Sequence, residues 1–103
     1  MITGKLSNGY KFKVDENAIM SAEFRDILAE TVSEDSTKRL AANSELLKFL
    51  IGPEEKQKLY AMIREQDKSQ YVSIEKIDAL TIELMGQLEK KNKDIKNSES
   101  SPT

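Results

Sequence analysis

The chain has 103 residues, and its 16 basic and 18 acidic side chains leave a net charge of only −2. This length predicts a single domain, and the near balance of charge argues against a dedicated nucleic-acid binder, whose affinity depends on a basic face that neutralises phosphates. The sequence has no Cys and no His, which excludes thiol nucleophiles, disulfides, imidazole bases and Cys/His zinc sites.

The longest apolar run, residues 46–51, is interrupted by Lys48. It is far shorter than the roughly 20 residues that span a bilayer. The N-terminus also lacks the charged start and apolar centre of a signal peptide. These features predict a soluble cytosolic protein with no membrane partner.

Alternation of apolar and polar residues over residues 2–14 predicts a β-hairpin. A two-residue loop would place Leu6 on the opposite face from the aromatic residues. A three-residue loop, residues 7–9 with Gly9 at positive φ, pairs Leu6 with Tyr10 and Ile2 with Val14. We predict the three-residue loop, and we expect the apolar face to dock on helices because a lone hairpin is marginal in water.

The opposite face of the predicted hairpin carries three lysines, Lys5, Lys11 and Lys13. An anionic partner is one explanation, and a nucleic-acid-binding regulator would require these lysines to converge into a patch. A solvated face that discourages edge-to-edge aggregation explains them more simply. We therefore expect no nucleic-acid partner.

Beyond residue 17 the apolar spacing changes to about 3.6, which predicts amphipathic helices over residues 21–33, 36–51, 53–66 and 73–89. Ser21, Ser36 and Ser73 are the expected N-caps. Asn43 and Ser44 leave open whether the second helix is continuous, kinked or restarted.

The predicted fold is α+β and mostly α, with the N-terminal hairpin packed on about four helices in a single domain over residues 1–89. Residues 90–103 form a polar tail with one strongly apolar residue, Ile95. Such a segment cannot bury enough surface to order itself, so we predict a disordered tail.

Residues 46–63 contain two apolar helical segments, a first half before Gly52 and a second half from Pro53 onwards. Gly52 can adopt the positive φ that closes a helix, and Pro53 suits the first turn of the next. The apolar arc of the first half spans about 200°, which is wider than a core-facing stripe requires. That helix is therefore central, or it contacts a partner as well as its own domain.

No motif indicates catalysis or metal binding. Residues 67–78 do not fit a calcium-binding loop, because Val72 stands where Gly is needed and Asp78 stands where a bidentate Glu is needed. The glycines are isolated, so no phosphate loop is present, and the carboxylates lie on the polar faces of predicted helices. We predict a protein that is not an enzyme and has no cofactor.

Four apolar residues exceed what the predicted core requires and are candidate partner contacts: Phe49, Ile51, Tyr60 and Ile82. A long helical partner could be held against them in the helix-in-groove mode. Core packing or tolerated exposure is the alternative explanation for each. We predict that Phe49→Asp abolishes partner binding and leaves the free domain folded; an unfolded variant would assign Phe49 to the core.

The order of elements resembles the tail assembly chaperones of long non-contractile-tailed (siphovirus-type) bacteriophages over nearly the whole chain. The segments that carry the resemblance are NGYKFKVDE, EFRDILAE, LLKFLIGPEEKQKLYAMIREQD and VSIEKIDAL. It implies a non-enzymatic protein of the host cytoplasm that binds the tape measure protein, keeps it soluble and promotes polymerisation of the tail tube protein around it. The resemblance transfers no binding residue.

Members of this family are often made in two lengths by ribosomal frameshifting near the end of the short form. The run from Lys90 to Lys93 would suit A-rich slippery codons. Self-association is left open. The alternative function is a small helical adaptor or regulatory protein of a bacterium or mobile element that binds a host protein, and genome neighbourhood separates the two.

Overall fold

A computed structural model describes the backbone of residues 1–99 and the side chains of residues 1–92. Two strands are followed by five helices in this part of the chain: β1 (Ile2–Lys5), β2 (Lys11–Val14), α1 (Glu16–Ile19), α2 (Ala22–Thr31), α3 (Ser36–Ile51), α4 (Pro53–Asp67) and α5 (Ile74–Glu99). The predicted α+β, mostly α, fold is confirmed.

The hairpin has the predicted three-residue loop. The Leu6 N–H donates to the Tyr10 carbonyl at 2.8 Å, and the Gly9 N–H donates to the Leu6 carbonyl at 2.9 Å. Gly9 has a φ of 97°, which a residue with a side chain rarely adopts. The register pairs Ile2 with Val14, so the apolar side chains of both strands share one face as predicted.

Two of the three predicted N-cap residues, Ser21 and Ser73, cap their helices in the structure. The Ser21 hydroxyl accepts from the Phe24 N–H at 3.1 Å, and the Ser73 hydroxyl accepts from the Lys76 N–H at 3.3 Å. Both serines satisfy a first-turn amide that has no partner within its helix.

Asp35, rather than the predicted Ser36, caps α3. Its carboxylate accepts from the N–H groups of Thr37 and Lys38, and a negative charge there is also favoured by the helix dipole. The sequence prediction also omitted α1, which Asp15 caps by accepting from Asn17. A single turn is too short to show an apolar period.

The hinge between α3 and α4 consists of one residue. Gly52, at φ 92° and ψ 156°, lies in a backbone region that is essentially restricted to glycine. Its N–H donates to the Lys48 carbonyl, and its carbonyl accepts from the Lys56 N–H. Pro53 begins α4 as predicted, while α3 runs without a break through Asn43 and Ser44.

The core lies between the inner face of the hairpin and helices α2 to α5. It contains Ile2, Leu6, Tyr10, Phe12, Val14, Phe24, Leu46, Leu47, Leu50, Ile51, Leu59, Ile63, Ile77, Leu80, Leu84 and Leu88. The polar end of Tyr10 is satisfied, because its hydroxyl donates to Glu55 Oε1 at 2.7 Å. Burial and this hydrogen bond raise the pKa of Tyr10. The predicted docking of the hairpin on the helices is confirmed.

Helix α5 extends beyond residue 89, where we placed the end of the last helix. Lys and Glu are strong helix formers, so a polar composition does not by itself end a helix. Lys91 also contacts the hairpin: its Nζ donates to the Thr3 carbonyl and lies 5.6 Å from the centre of the Phe12 ring. Of the predicted disordered tail 90–103, residues 100–103 lie outside the described residues.

Gly4 allows α5 to approach the hairpin closely. A Cβ atom at this position would lie 2.5 Å from Phe12 Cζ and 2.8 Å from both Gln87 Oε1 and Lys91 Nζ. Gln87 uses this closeness to donate from Nε2 to the Lys5 carbonyl at 2.9 Å. The second half of α5 is thereby joined to β1.

Candidate protein-binding groove

A shallow groove runs along the contact between α3 and α5, and we call it the α3–α5 groove. One end is a cavity of about 180 Å³ lined by Leu40, Asn43, Ser44, Leu47, Tyr60, Ile74, Ile77, Asp78 and Thr81. The other end is a cavity of about 280 Å³ lined by Leu28, Thr31, Asn43, Leu46, Asp78, Thr81, Ile82 and Met85. The two cavities share Asn43, Asp78 and Thr81 and so form one surface.

The rim of this groove is apolar and open to solvent. Leu40 is 56% exposed, Ile74 is 64% exposed and Ile82 is 72% exposed, whereas Leu46 and Leu47 are buried in the floor. A single exposed apolar residue is ordinary. Several around one apolar depression are typical of a surface that binds another protein.

The periodicity of α5 explains how the rim forms. Ile74, Asp78 and Ile82 are four residues apart, so they lie one above another on one side of the helix. Ile74 and Ile82 are separated by two turns, or roughly 12 Å along the axis. A partner helix of a few turns could therefore span the groove.

Two half-buried polar residues lie at the middle of the groove. The side chains of Asn43 and Asp78 line both cavities and make no hydrogen bond or ion pair within the described part of the chain. Thr81 beside them is satisfied, because its hydroxyl donates to the Ile77 carbonyl at 2.8 Å. Asn43 and Asp78 are thus the polar groups that could orient a bound segment.

Two of the four predicted contact residues line this groove. Tyr60 is half-buried at one end, with Lys56 Nζ 5.5 Å from the centre of its ring. Ile82 forms part of the rim at the other end. The structure thus places these two residues, which lie on different helices, at opposite ends of one groove.

The other two predicted residues lie in packed positions. Phe49 is half-buried against the core, and its ring stacks on Phe24 with the centroids 6.4 Å apart. Ile51 is only 8% exposed and belongs to the core. Phe49→Asp would therefore place a charge beside the Phe24 ring, and we now expect it to disturb the packing between α2 and α3. Contact of Phe49 with a partner stays a prediction.

Sequence reasoning missed Leu40 and Ile74. Leu40 lies seven residues before Leu47 on α3, so it continues the same helix face by two turns. Ile74 falls within the same apolar arc of α5 as the buried residues Ile77, Leu84 and Leu88, so its spacing does not indicate that it is exposed. The spacing identifies the face of each helix, but it does not show how far a neighbouring helix covers that face.

Within the described residues, no group of three or more His, Cys, Asp or Glu side chains could hold a metal ion. In the same part of the chain, no helix combines the length and apolar character needed to cross a membrane. Comparisons with protein-family models, curated proteins and solved structures found no match to this chain.

Proposed function

We propose that this protein is a phage tail assembly chaperone that binds helical segments of the tape measure protein in the α3–α5 groove. In this role it keeps the tape measure protein soluble and promotes polymerisation of the tail tube protein around it. The resemblance of the sequence to that family supports the choice of partner. The single observation that supports the binding step is the exposed apolar rim of Leu40, Ile74 and Ile82 above an apolar floor.

The physical basis is burial of apolar surface on both partners. A long helical protein presents apolar stripes at spacings of three and four residues, and such a stripe fits a groove between two helices. Complete burial of one Leu or Ile side chain contributes about 1.5–3 kcal/mol. Association entropy offsets much of the gain from three rim residues, so we expect reversible binding, which suits a chaperone that must release its client.

Co-expression tests this proposal directly. We expect the gene to be followed by a very long open reading frame, and we expect fragments of its product to stay soluble only when the chaperone is co-expressed. Ile74→Asp and Ile82→Asp should release the fragments into the insoluble fraction, because each places a charge on the apolar rim. Val32→Asp is the matched control, since Val32 is 79% exposed and does not line the groove.

Circular dichroism would show whether all three variants keep the wild-type helix content and thermal midpoint. Equal solubilisation by wild type, Ile82→Asp and Val32→Asp would exclude the groove as the binding site. The absence of a long neighbouring frame, together with binding of a small host protein in the same groove, would support the adaptor function instead.

A further inference from the structure

The free edge of strand β2 is a second surface with unused binding groups, distinct from the α3–α5 groove. The hydrogen bond from Leu6 N–H to the Tyr10 carbonyl fixes which residues pair through the backbone. Hydrogen-bonded and non-hydrogen-bonded pairs alternate along an antiparallel ladder. The pairs of Lys5 with Lys11 and of Thr3 with Lys13 are therefore the ones whose N–H and C=O groups point out of the hairpin.

Helix α5 covers this outward edge on β1. Lys91 donates to the Thr3 carbonyl, and Gln87 donates to the Lys5 carbonyl at 2.9 Å. Both acceptors are the outward carbonyls that the alternation predicts. One edge of the two-stranded sheet is thus occupied by side chains of the same molecule.

The edge of β2 has no such cover. Outside the hairpin, no hydrogen bond reaches the backbone of Lys11 or Lys13 in the described residues. A cavity of about 810 Å³ adjoins both strands of the hairpin and also contacts α3 and α4, and it is lined by Thr3, Gly4, Lys5, Lys11, Phe12, Lys13, Ile51 and Glu55. Unpaired strand edges of this kind pair readily with an extended chain.

The charge along this edge indicates what kind of chain it would accept. Lys5, Lys11 and Lys13 project from the outer face, and none of them forms an ion pair in the described part of the molecule. Lys5 stands directly opposite Lys11, a placement of like charges that destabilises a sheet. The acidic side chain in the cavity, Glu55, already accepts from Tyr10 and pairs with Lys58.

We infer that β2 binds an extended acidic segment of a partner protein as a third strand. The segment would exchange backbone hydrogen bonds with Lys11 and Lys13, in the β-augmentation mode of peptide recognition. Because side chains alternate between the two faces of a strand, its acidic residues would lie beside the lysines and its apolar residues would face Ile51. The recognised pattern is therefore acidic and apolar residues in alternation.

A second copy of the chain fits this edge less well. Antiparallel pairing of two β2 strands across a two-fold axis would set Lys11 and Lys13 of one copy against the same lysines of the other. Like charges on neighbouring strands oppose such pairing and are a common protection of sheet edges. Charge complementarity thus favours the acidic segment.

The test uses the full chain and a short fluorescent peptide in which Glu and Val alternate, with a scrambled peptide of the same composition as the control. We expect the alternating peptide to bind at least about tenfold more tightly than the scrambled one. Every second amide of the peptide can be N-methylated in two ways, starting from the first or from the second residue. We expect only one of these two forms to lose binding, because only one set of N–H groups would face β2. This difference distinguishes strand pairing from attraction between charges alone.

Protein variants separate backbone pairing from charge. Lys13→Pro removes an outward N–H that the hairpin does not use, as an edge position permits, whereas Lys13→Gln removes only the charge. We expect Lys13→Pro to weaken peptide binding by more than Lys13→Gln does. Thr3→Pro should leave peptide binding unchanged, because side chains of α5 already cover the edge of β1. Circular dichroism would show whether each variant keeps the wild-type fold.

Four results would overturn the inference. Equal binding of both peptides, or of both N-methylated forms, would exclude a third strand. Concentration-dependent dimerisation that Lys13→Pro abolishes would make a second copy the occupant. Salt-sensitive binding of a DNA oligomer that displaces the peptide would identify the lysines as a phosphate-binding face.

Discussion

The two halves of α5 show how one helix can hold the domain together and also present an open surface. In what we call its second half, which begins at Leu84, Leu84 and Leu88 are buried, and Gln87 and Lys91 donate to backbone carbonyls of β1. Its first half lies along α3 and leaves the apolar side chain of Ile74 in solvent.

Hydrophobicity does not account for this difference, because Leu and Ile occur in both halves. The second half is covered because the hairpin reaches it and because Gly4 permits a close approach. In the first half, Ile74 and Ile82 line the open α3–α5 groove, although the hairpin loop still reaches Glu83, which accepts from the Ser7 N–H and hydroxyl. We therefore expect the second half of α5 to contribute more to stability and the first half to carry the proposed binding surface, and four sets of variants test this comparison.

The largest effect is expected in the core beneath both halves. Leu50 is buried, so Leu50→Asp would place a carboxylate without a partner in an apolar site. That costs several kcal/mol against a total stability of about 5–15 kcal/mol. We expect loss of the helical circular dichroism signal for Leu50→Asp, while Val32→Asp keeps it.

The next variant compares the two halves of α5 directly. Leu88→Ala should lower the free energy of unfolding by about 2–5 kcal/mol, because it leaves a cavity against the hairpin. Ile82→Ala should change it by no more than about 0.5 kcal/mol, since the side chain is largely in solvent. Urea unfolding measures both values, and equal losses would contradict the division.

Gly4 tests the close approach of the hairpin to α5. Gly4→Ala should destabilise the domain by about 1–3 kcal/mol, because the new methyl group meets the Phe12 ring and the ends of Gln87 and Lys91. Gly86→Ala is the control in the same region: nothing lies within 4 Å of its Cβ position, and Ala favours a helix by about 1 kcal/mol. A stabilising Gly4→Ala would show that the approach is not tight.

The smallest effect is a pH dependence at the hairpin–α4 contact. Hydrogen bonds from Lys58 and then from Tyr10 lower the pKa of Glu55 below its usual 4.5. A lowered pKa in the folded state gives a contribution to stability that is present above the unfolded pKa and is lost as the pH falls through the folded pKa.

Thermal unfolding measured between about pH 6 and about pH 3 should therefore show a smaller loss of stability for Glu55→Gln than for wild type. Other carboxylates, such as Glu16 with its lowered pKa at the N-terminal amine, titrate in both proteins and cancel in the comparison. Identical pH profiles would show that the Tyr10 contact does not depend on the charge of Glu55.

The amino-acid sequence by itself determined the features that depend on neighbouring residues. The three-residue loop follows from Gly9 and the alternation around it, the hinge follows from Gly52 and Pro53, and the cap of α2 follows from Ser21. Each of these is set by the conformational limits or hydrogen-bonding capacity of a residue within a few positions. Such constraints can be read before any tertiary contact is known.

Tertiary structure alone decided which apolar side chains remain exposed and how the two sheet edges differ. Leu40 and Ile74 follow the same helical spacing as buried residues, and they form a rim because α3 and α5 leave that surface uncovered. Likewise, β1 and β2 both contain polar residues, but in the described part of the chain Gln87 and Lys91 donate hydrogen bonds to the backbone of β1 and not to that of β2. Burial depends on which distant segment packs nearby, and no local pattern in the chain encodes that distance.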